Sequence, residues 1–274
     1  MSALEQFLTD THDRHPGVTS DAMACLPVRL AGVEHASTYA LLDGVVPRGP
    51  APLAVLDLAC GDGALLSLLA ARDQPGLALH GLDFSAGELA AAARRLGGRA
   101  RLVRSRAQRL PYADASFDLV LSHMALMLME DADQMLAELR RVLRPGGVVA
   151  ALVAAPAPAS AVHQAFVETL RSGDQAALSK APRFPGRAWR DEDGIRGLFS
   201  GFADLRIDEV VAELACDPAT AWSWYGGVYE LLTMSPTERA RFEQRFRGAV
   251  AALAAEGQAA TWPLHFRRVT ARRG

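Results

Sequence analysis

Five short apolar runs alternate with alanine- and leucine-rich stretches between residues 51 and 155. The runs have the length of buried strands, whereas the stretches 64–72, 86–96 and 132–143 place apolar residues at helical spacing. The predicted strands are LAVLDL (53–58), LALHGL (77–82), ARLV (100–103), FDLVLSH (117–123) and VVAALV (148–153). Strands and helices that alternate in this way form a parallel sheet with right-handed crossovers.

Local signals mark the ends of these helices. Ser85 followed by Glu88 has the spacing of a capping box, and Asp131 followed by Gln134 imitates it. The glycine pair of the later RPGG segment predicts the end of the helix before it.

The rest of the chain adds two late strands, 205–214 and 262–271, which bring the predicted number of strands to seven. Helices are predicted at 218–232 and 235–256, because each stretch begins with a capping residue followed by proline.

An uncharged run of 23 residues, 145–167, has the length of a membrane span. Its continuous apolar part is only 148–155, and prolines follow. Eight residues cannot cross a bilayer as a helix, so the run is interpreted as a buried strand and a loop.

Composition excludes several classes of protein. The hydrophobic content of 50% excludes a disordered chain, and 29 basic against 31 acidic residues argue against a nucleic-acid partner. Cys25, Cys60 and Cys216 are far apart and odd in number, which predicts a reduced, cytoplasmic protein with no disulfide framework and no metal site. The acidic N-terminus is not a secretory signal.

The segment VLDLACGDG (55–63) carries the chemistry. A buried strand ends in Asp57, a turn of small residues follows, and a helix begins near Ala64, so a ligand can approach the backbone and the free N–H groups of the helix. Twenty residues beyond Gly63, the second strand ends in Asp83, which can accept hydrogen bonds from both ribose hydroxyls of a nucleotide-like cofactor.

With GLDFS, LPYADASFDLVLSH and RVLRPGG in order behind it, this segment resembles the class I S-adenosylmethionine-dependent methyltransferases, particularly the small-molecule group of ubiquinone/menaquinone type. The resemblance is strong over residues 50–155 and weaker to 214 and in the final strand. It implies an α/β fold: a Rossmann-like, seven-stranded, mostly parallel sheet with helices on both faces. The implied cofactor is S-adenosyl-L-methionine, with S-adenosyl-L-homocysteine as product.

The implied organisation has four parts. They are an N-terminal helical cap segment (1–50), a cofactor-binding core (51–155), a lid or insertion (156–204), and a C-terminal part of the fold with aromatic-rich helices (205–274).

The resemblance also implies which residues contact the cofactor. They are Asp57, Ala59, Gly61 and Gly63 for the amino-acid end, Asp83 for the ribose, Phe84 beside the adenine, Arg106, Ala107 and Gln108 along the adenine edge, and Ser122 and His123 near the sulfonium.

Two positions depart from the family pattern. Ala59 stands where a first glycine is usual, which is tolerable if its backbone stays in an allowed region. Arg106 replaces a frequent aspartate that accepts the adenine amino hydrogen, and arginine has no acceptor. We expect the amide oxygen of Gln108, a backbone carbonyl or water to accept that hydrogen, while Arg106 stacks on the ring or lies at the surface.

A dinucleotide is the competing cofactor. A Rossmann fingerprint that starts at Gly61 needs a third small residue at position 66, where Leu66 stands. The nicotinamide alternative is therefore weaker.

Histidines are the candidate catalytic bases, although a sulfur or ionised oxygen nucleophile needs none. His123 ends a strand at the edge where open α/β sheets bind ligands. His12 and His15 belong to an N-terminal charged cluster, and a segment before the first strand often folds over the site in this family. Structural or solvent-exposed histidines are the alternative interpretation.

Candidate substrate-binding residues are Met127 and the late aromatic residues Trp222, Trp224, Tyr225 and Tyr229. They are interpreted either as the wall of a pocket for a bulky substrate or as ordinary core packing.

The resulting prediction is methyl transfer to a small or medium-sized organic acceptor, in specialised metabolism, with no nucleic-acid or membrane partner. A cofactor-binding protein that catalyses a rearrangement or acts as a scaffold, and an RNA or protein methyltransferase, are the alternatives. The acceptor, the atom that is methylated and the oligomeric state stay open.

Overall fold

The computed structural model describes residues 2–156, 158–173, 184–255 and 261–274. Within these ranges the chain forms nine strands, eleven α-helices and two short 3-10 helices. The strands are β1 (Val28–Leu30), β2 (Val33–His35), β3 (Leu53–Leu58), β4 (Leu77–Asp83), β5 (Arg101–Arg104), β6 (Phe117–His123), β7 (Leu143–Ala154), β8 (Ala203–Ala215) and β9 (Thr261–Arg272). The α-helices are α1 (Ala3–Arg14), α2 (Val18–Met23), α3 (Thr38–Asp43), α4 (Ala64–Ala70), α5 (Ala86–Leu96), α6 (Ala132–Val142), α7 (Ala161–Arg171), α8 (Glu192–Leu198), α9 (Pro218–Tyr225), α10 (Tyr229–Leu232) and α11 (Pro236–Ala255). The 3-10 helices are Leu126–Leu128 and Gly186–Trp189.

The chain divides into two compact units. The first consists of the described residues of Met1–Pro156, Phe184–Val210 and Phe266–Gly274, and the second of those of Ala157–Arg183 and Val211–His265. Part of the predicted lid, residues 174–183, lies outside the described residues. The first unit holds the whole of the candidate cofactor segment.

The mostly parallel α/β core that the sequence predicts is confirmed. Strand order in the sheet is β2-β1-β8-β9-β7-β6-β3-β4-β5. Strand β3 pairs in parallel with β4 and β6, β4 with β5, and β6 with β7, while β7 and β9 are antiparallel. Strands β3 and β6 are neighbours, and the chain continues from β3 to β4 on one side and from β6 to β7 on the other. A crevice is therefore expected at the carboxyl ends of β3 and β6.

The predicted number of seven strands is wrong, since the described residues hold nine strands in one sheet. The two additional strands, β1 and β2, form a hairpin in which Leu30 is the partner of Val33. Ala31 and Gly32 between them both have positive φ, 47° and 82°, as the two central residues of a type I′ turn require. Three-residue strands are too short to show a period of two in the sequence.

The bounds of α6 agree with the predicted helix 132–143, but the two predicted signals at its ends are wrong. Asp131 begins α6 without a side-chain capping bond, with a left-handed φ of 52°. The amide of Gln134 instead donates to Gln108 O, at 3.1 Å. Helix α6 ends at Val142, and the RPGG segment lies inside β7, where Gly147 runs so close to the backbone that a Cβ would come within 2.9 Å of Arg144 O.

The helix predicted at 218–232 is divided into α9 and α10. Helix α9 ends at Tyr225, and two glycines, Gly226 and Gly227, separate the helices. Glycine is the least favourable residue after proline inside a helix, which accounts for the break.

The core of the first unit lies on both faces of the parallel strands. Residues Val149–Val153 of β7 are fully buried, as the continuous apolar run predicts for a strand covered on both sides. Helix α6 covers one face with Met135, Leu136, Leu139 and Val142, a set that recurs at helical spacing. In the part of the chain that the structure describes, no helix combines the length and the hydropathy of a membrane span.

The second unit has an aromatic core of its own. Phe166 of α7 stacks on Tyr225 with ring centroids 4.3 Å apart. Phe242 and Phe246 of α11 meet the ring of Phe166 edge-on, at 5.5 and 5.6 Å. Edge-to-face pairs of this kind add to the stabilisation that burial gives.

Gly81 of β4 provides a test of the packing beside the candidate site. A Cβ at Gly81 would lie 2.7 Å from Leu102 Cδ2, 2.8 Å from Leu66 Cδ1 and 2.9 Å from Cys60 Sγ. We expect Gly81→Ala to lower the free energy of unfolding by about 1–3 kcal/mol, because the extra methyl overpacks a filled space. Urea denaturation followed by circular dichroism measures the change.

The matched control is Gly197→Ala in α8, where a Cβ meets no atom within 4 Å. Alanine should leave that helix unchanged or stabilise it by up to ~1 kcal/mol. Equal urea midpoints for Gly81→Ala and the unchanged protein would contradict the described packing.

Candidate functional site

The carboxyl ends of β3, β4 and β6 bring the candidate cofactor residues to one edge of the sheet. Asp57 of β3 is in register with Gly81 on one side and Leu121 on the other. Asp83 and His123 therefore end the two flanking strands, each two residues beyond the partner of Asp57. The hydroxyl of Ser122 donates to Leu58 O, at 3.0 Å, and ties β6 to the turn after β3.

The turn after β3 has the backbone that close approach of a ligand requires. Ala59, Gly61 and Gly63 all have left-handed φ values, 57°, 52° and 79°. Alanine in this region costs about 1–2 kcal/mol, so Ala59 is accommodated under strain. A Cβ at Gly63 would lie 3.2 Å from Ala92 Cβ, which shows that glycine lets α5 pack against the turn.

Asp83 holds this turn in place. Its two carboxylate oxygens accept hydrogen bonds from Gly61 N and Ser85 N, both at 2.9 Å. Burial raises the pKa of Asp83 although these two hydrogen bonds lower it. Phe84, the predicted neighbour of the adenine, follows directly and is half-buried.

Asp57 has an incomplete set of partners. Its side chain is fully buried, and its Oδ1 has no hydrogen-bond partner among the described residues. Burial raises the pKa of Asp57 well above its ordinary value, and the negative charges of Asp83 and Asp62 raise it further. A buried acceptor without a partner calls for an explanation, and a bound donor is one.

Two further acids surround the turn, and sequence analysis did not assign them to the site. Asp62 accepts from Ser20 Oγ at 2.7 Å and forms an ion pair with Arg95. The other is Glu88, which was predicted only as the second half of a capping box. Ser85 does cap the backbone N–H of Glu88, at 3.1 Å, but the carboxylate turns toward the N-terminal segment.

That carboxylate binds two groups. Glu88 Oε1 lies 2.8 Å from His12 Nδ1, and Oε2 accepts from Gly17 N at 2.9 Å. Glu88 is only 3% exposed, although it lies in the first turn of an otherwise ordinary helix. Only the structure gives this signal, because a glutamate that completes a capping box and one that holds the N-terminal segment have the same sequence pattern.

The N-terminal segment docks on the start of α5 through Asp13. One oxygen of Asp13 accepts from Ser85 Oγ at 2.6 Å and from Gly87 N at 2.8 Å. Burial alone would raise the pKa of Asp13, but these hydrogen bonds outweigh it and the pKa is lowered. A carboxylate is favourable there because the helix N-terminus carries partial positive charge.

One ion pair and one hydrogen bond connect the N-terminal segment to residues further along the chain. Glu5 of α1 pairs with Arg106, and Ser2 bonds to Glu130. Arg106 therefore contacts the N-terminal segment and is half exposed, as the surface alternative predicted. This contact explains an arginine at a position where the family often has an acid.

The other predicted adenine-edge residues, Ala107 and Gln108, are buried. The amide nitrogen of Gln108 donates to Glu130 O at 2.7 Å. This bond orients the amide and leaves its oxygen as the acceptor, as the predicted replacement for the missing aspartate requires.

His123 is held as a neutral residue. Its Nε2 lies 2.9 Å from Thr38 Oγ1, and its ring stacks on Tyr39 with centroids 3.9 Å apart. Burial lowers the pKa of His123 to about 3. Burial disfavours the protonated ring that a general base must become, so this environment does not favour a base at His123, and that role stays a prediction.

The two N-terminal candidates are in different surroundings. His12 is oriented by Glu88, whose Oε1 lies 2.8 Å from His12 Nδ1. His15 is an exposed residue at the C-terminal end of α1, where its backbone N–H donates to Thr11 O at 2.9 Å.

The predicted substrate residues lie in both units. Met127 is partly buried against the core of the first unit. In the second, Tyr225 belongs to the aromatic core and Trp222 lies under Arg239, 5.4 Å from the ring centroid, while Trp224 and Tyr229 are half-buried. Core packing thus accounts for Tyr225, and the pocket wall stays a prediction for the others.

Comparisons with known proteins agree with the geometry. Residues 56–151 match the family model described as a methyltransferase domain. The demethylmenaquinone methyltransferase of Lactobacillus johnsonii is 40% identical over 102 residues, covering 35% of this chain and 42% of the relative. The malonyl-[acyl-carrier protein] O-methyltransferase of Halorhodospira halophila is 34% identical over 170 residues, covering 61% of this chain and 54% of the relative. The chain thus spans about half the length of these curated relatives.

The fold is found in solved structures over a longer range. The crystal structure of the [4+2]-cyclase SpnF superposes with a TM-score of 0.56 at 19% identity, and covers 97% of this chain and 95% of that one. Fold, motif geometry and family match agree: residues 56–151 match a methyltransferase domain, and the first unit has the fold of the class I S-adenosylmethionine-dependent methyltransferases. Within that class the chain is similar to a demethylmenaquinone methyltransferase and to a malonyl-[acyl-carrier protein] O-methyltransferase.

Gly87→Ala tests the docking of the N-terminal segment. A Cβ at Gly87 would lie 2.7 Å from Asp13 Cα and 2.8 Å from Asp13 O, so alanine should displace α1 while favouring α5 itself. We expect amide hydrogen exchange in residues 3–14 to rise at least about tenfold with little change in β3 and β4. Unchanged protection of α1 would contradict the close contact, and Gly197→Ala again serves as the control.

Proposed function

We propose that this protein transfers the methyl group of S-adenosyl-L-methionine to a small or medium-sized organic acceptor, drawn from specialised metabolism. The single observation that carries the proposal is the buried, unpartnered oxygen of Asp57 within a group of four acids, at the glycine turn of a methyltransferase domain. The cofactor, when bound, supplies an electrophilic methyl group on a sulfonium.

The charges at the turn fit this cofactor, whose amino-acid end carries an ammonium group and whose sulfur is positive. Burial raises the pKa values of Asp57 and Asp83, and neighbouring negative charges raise them further: those of Asp83 and Asp62 for Asp57, and that of Glu88 for Asp83. A cation or a hydrogen-bond donor at Asp57 relieves the cost of ionising that carboxyl. An anionic ligand such as a dinucleotide pyrophosphate would increase it.

Each part of the site then has a role. Asp57 and the turn from Ala59 to Gly63 would hold the amino-acid end, and Asp83 the ribose. The N-terminal segment, docked through Asp13 and Glu88, would exclude water from the reacting groups, which in-line displacement requires. Gln108 would accept from the adenine amino group.

Where the acceptor must lose a proton, we propose His12 as the base. Among the histidines that sequence analysis singled out, His12 has a buried carboxylate partner, Glu88, whose side chain is 4% exposed. The carboxylate orients the ring through its contact with Nδ1.

A second candidate function is catalysis without methyl transfer, with the cofactor as a fixed structural group. The observation that favours it is the burial of His123, which is 8% exposed, because burial disfavours the protonated ring that a base must become. Mass spectrometry of the reaction separates the two: methyl transfer produces one S-adenosylhomocysteine for each methylated product, whereas a rearrangement leaves the cofactor unchanged.

Cofactor binding should release protons. Because Asp57 has a raised pKa in the free protein and a cation favours its charged form, affinity for S-adenosylmethionine should increase with pH until the free carboxyl is ionised. Calorimetry at several pH values, in buffers of different ionisation enthalpy, measures both the affinity and the proton number. Asp57→Asn should weaken binding at least about tenfold and reduce the number of protons released. Affinity independent of pH in both proteins would count against the role of Asp57.

The role of His12 requires an acceptor, which a screen with methyl-labelled cofactor supplies. His12→Gln should then lower kcat by about 100-fold or more while cofactor affinity changes less than threefold. His35→Gln, in the β1–β2 hairpin, is the control and should keep full turnover. Full turnover in His12→Gln would exclude this base and point to a nucleophile that needs none.

A further inference from the structure

We infer that Thr38 is a positioning residue that fixes His123 in the tautomer with its proton on Nε2, so that the Nδ1 lone pair receives an N–H or O–H donor at the centre of transfer. This inference rests on the proposed function for the identity of that centre. It predicts the chemistry of the methyl acceptor, which is a protic nucleophile: a hydroxyl or an amine that binds in its neutral form.

The tautomer follows from a short chain of hydrogen bonds. The hydroxyl of Thr38 lies 3.3 Å from Met23 O, to which it can only donate. A hydroxyl has one hydrogen, and this one is donated to Met23 O. The oxygen of Thr38 therefore accepts a hydrogen bond from His123 Nε2, at 2.9 Å, and Nε2 carries the proton. A neutral imidazole has one N–H, which leaves Nδ1 as an acceptor.

That acceptor has no partner. Nδ1 of His123 is buried, and no described residue donates to it. The ring itself is 8% exposed, so water does not replace the missing donor freely. An unfilled lone pair on a buried ring is costly unless the functional state fills it.

The neighbours of the ring place it beside the cofactor turn. Tyr39 covers one face of the imidazole, with an interplanar angle of 20°. Burial raises the pKa of Tyr39 well above its ordinary range, and the negative charges of Asp62, Asp57 and Glu88 raise it further. Leu121, two residues before His123 in β6, is the register partner of Asp57. His123 also follows Ser122, which is bonded to Leu58 O.

The polarity of the lone pair limits what can dock there. A neutral nitrogen acceptor attracts a hydroxyl or an amine and orients its hydrogen away from the methyl group, so that a lone pair of the nucleophile can face the carbon. An anion, such as a carboxylate or a thiolate, would meet a lone pair and would be repelled. The acceptor is therefore a neutral hydroxyl or amine in the ground state.

The first test reads the tautomer directly. In protein labelled with 15N-histidine, long-range 1H–15N spectra distinguish the protonated nitrogen from the bare one. We expect His123 to be neutral with the proton on Nε2, and Thr38→Val, which removes the hydroxyl at nearly constant volume, to shift the population toward Nδ1–H. Thr38→Ser should retain the original tautomer. A proton on Nδ1 in the unchanged protein overturns the inference.

The second test uses two cofactor analogues, S-adenosylhomocysteine and sinefungin, which carries an amine at the position of the transferred methyl. Sinefungin should bind more tightly than S-adenosylhomocysteine by roughly tenfold, because its amine donates to Nδ1. Thr38→Val and His123→Phe should remove that ratio, whereas Thr38→Ser and Tyr39→Phe should retain it. The ratio is independent of any general loss of stability.

The outcomes separate the two proposals. If neither analogue binds, the proposed function fails, although the tautomer measurement still reports on Thr38. If both bind equally in the unchanged protein, or if Thr38→Val leaves the ratio unchanged, the cofactor proposal stands and the inference about Thr38 is overturned.

Discussion

The rest of the site depends on the cost of burying Asp57 beside three other acids. Two parallel strands that lie side by side end in Asp57 and Asp83, and the turn and helix that follow add Asp62 and Glu88. Like charges at such spacing in a buried place cannot all ionise unless donors surround them. The chain supplies those donors from several sources: backbone N–H groups of Gly61, Ser85 and Gly17, and the side chains of Ser20, Arg95 and His12.

This constraint accounts for the position of the N-terminal segment. Gly17, Ser20 and His12 all belong to it, and each makes its contact with an acid of the turn or of α5. The segment is thus held by Glu88 and Asp62, which lie beside the two carboxylates, Asp57 and Asp83, that would hold the cofactor. Among the buried side-chain oxygens of these four acids in the part of the chain that the structure describes, Asp57 Oδ1 is the one without a hydrogen-bond partner, and it lies at the position that the family resemblance assigns to the ligand.

The core was largely predictable from the sequence, because strand and helix periods are local. Strands β3 and β6 and helix α5 have the bounds that the pattern predicts, and Asp57, Asp83 and the glycine turn follow from their order. What could not be predicted has a non-local cause. The hairpin of β1 and β2 depends on pairing in the sheet, and the role of Glu88 depends on residues 71 and 76 positions earlier in the chain. A capping box and a docking carboxylate look the same in one dimension.

The neutral state of His123 is the counterpart of the acidic turn. Negative charge is concentrated after β3 and β4, and β6 ends in a ring that burial keeps uncharged and that Tyr39 and Thr38 hold. A positive imidazole there would compete with a positive cofactor for the same acids, whereas a neutral one leaves them to the ligand. The burial that disfavours a charged His123 leaves its neutral ring able to serve as a hydrogen-bond acceptor. Under the proposed function, cofactor charge and acceptor polarity would be recognised by separate strands of one sheet edge.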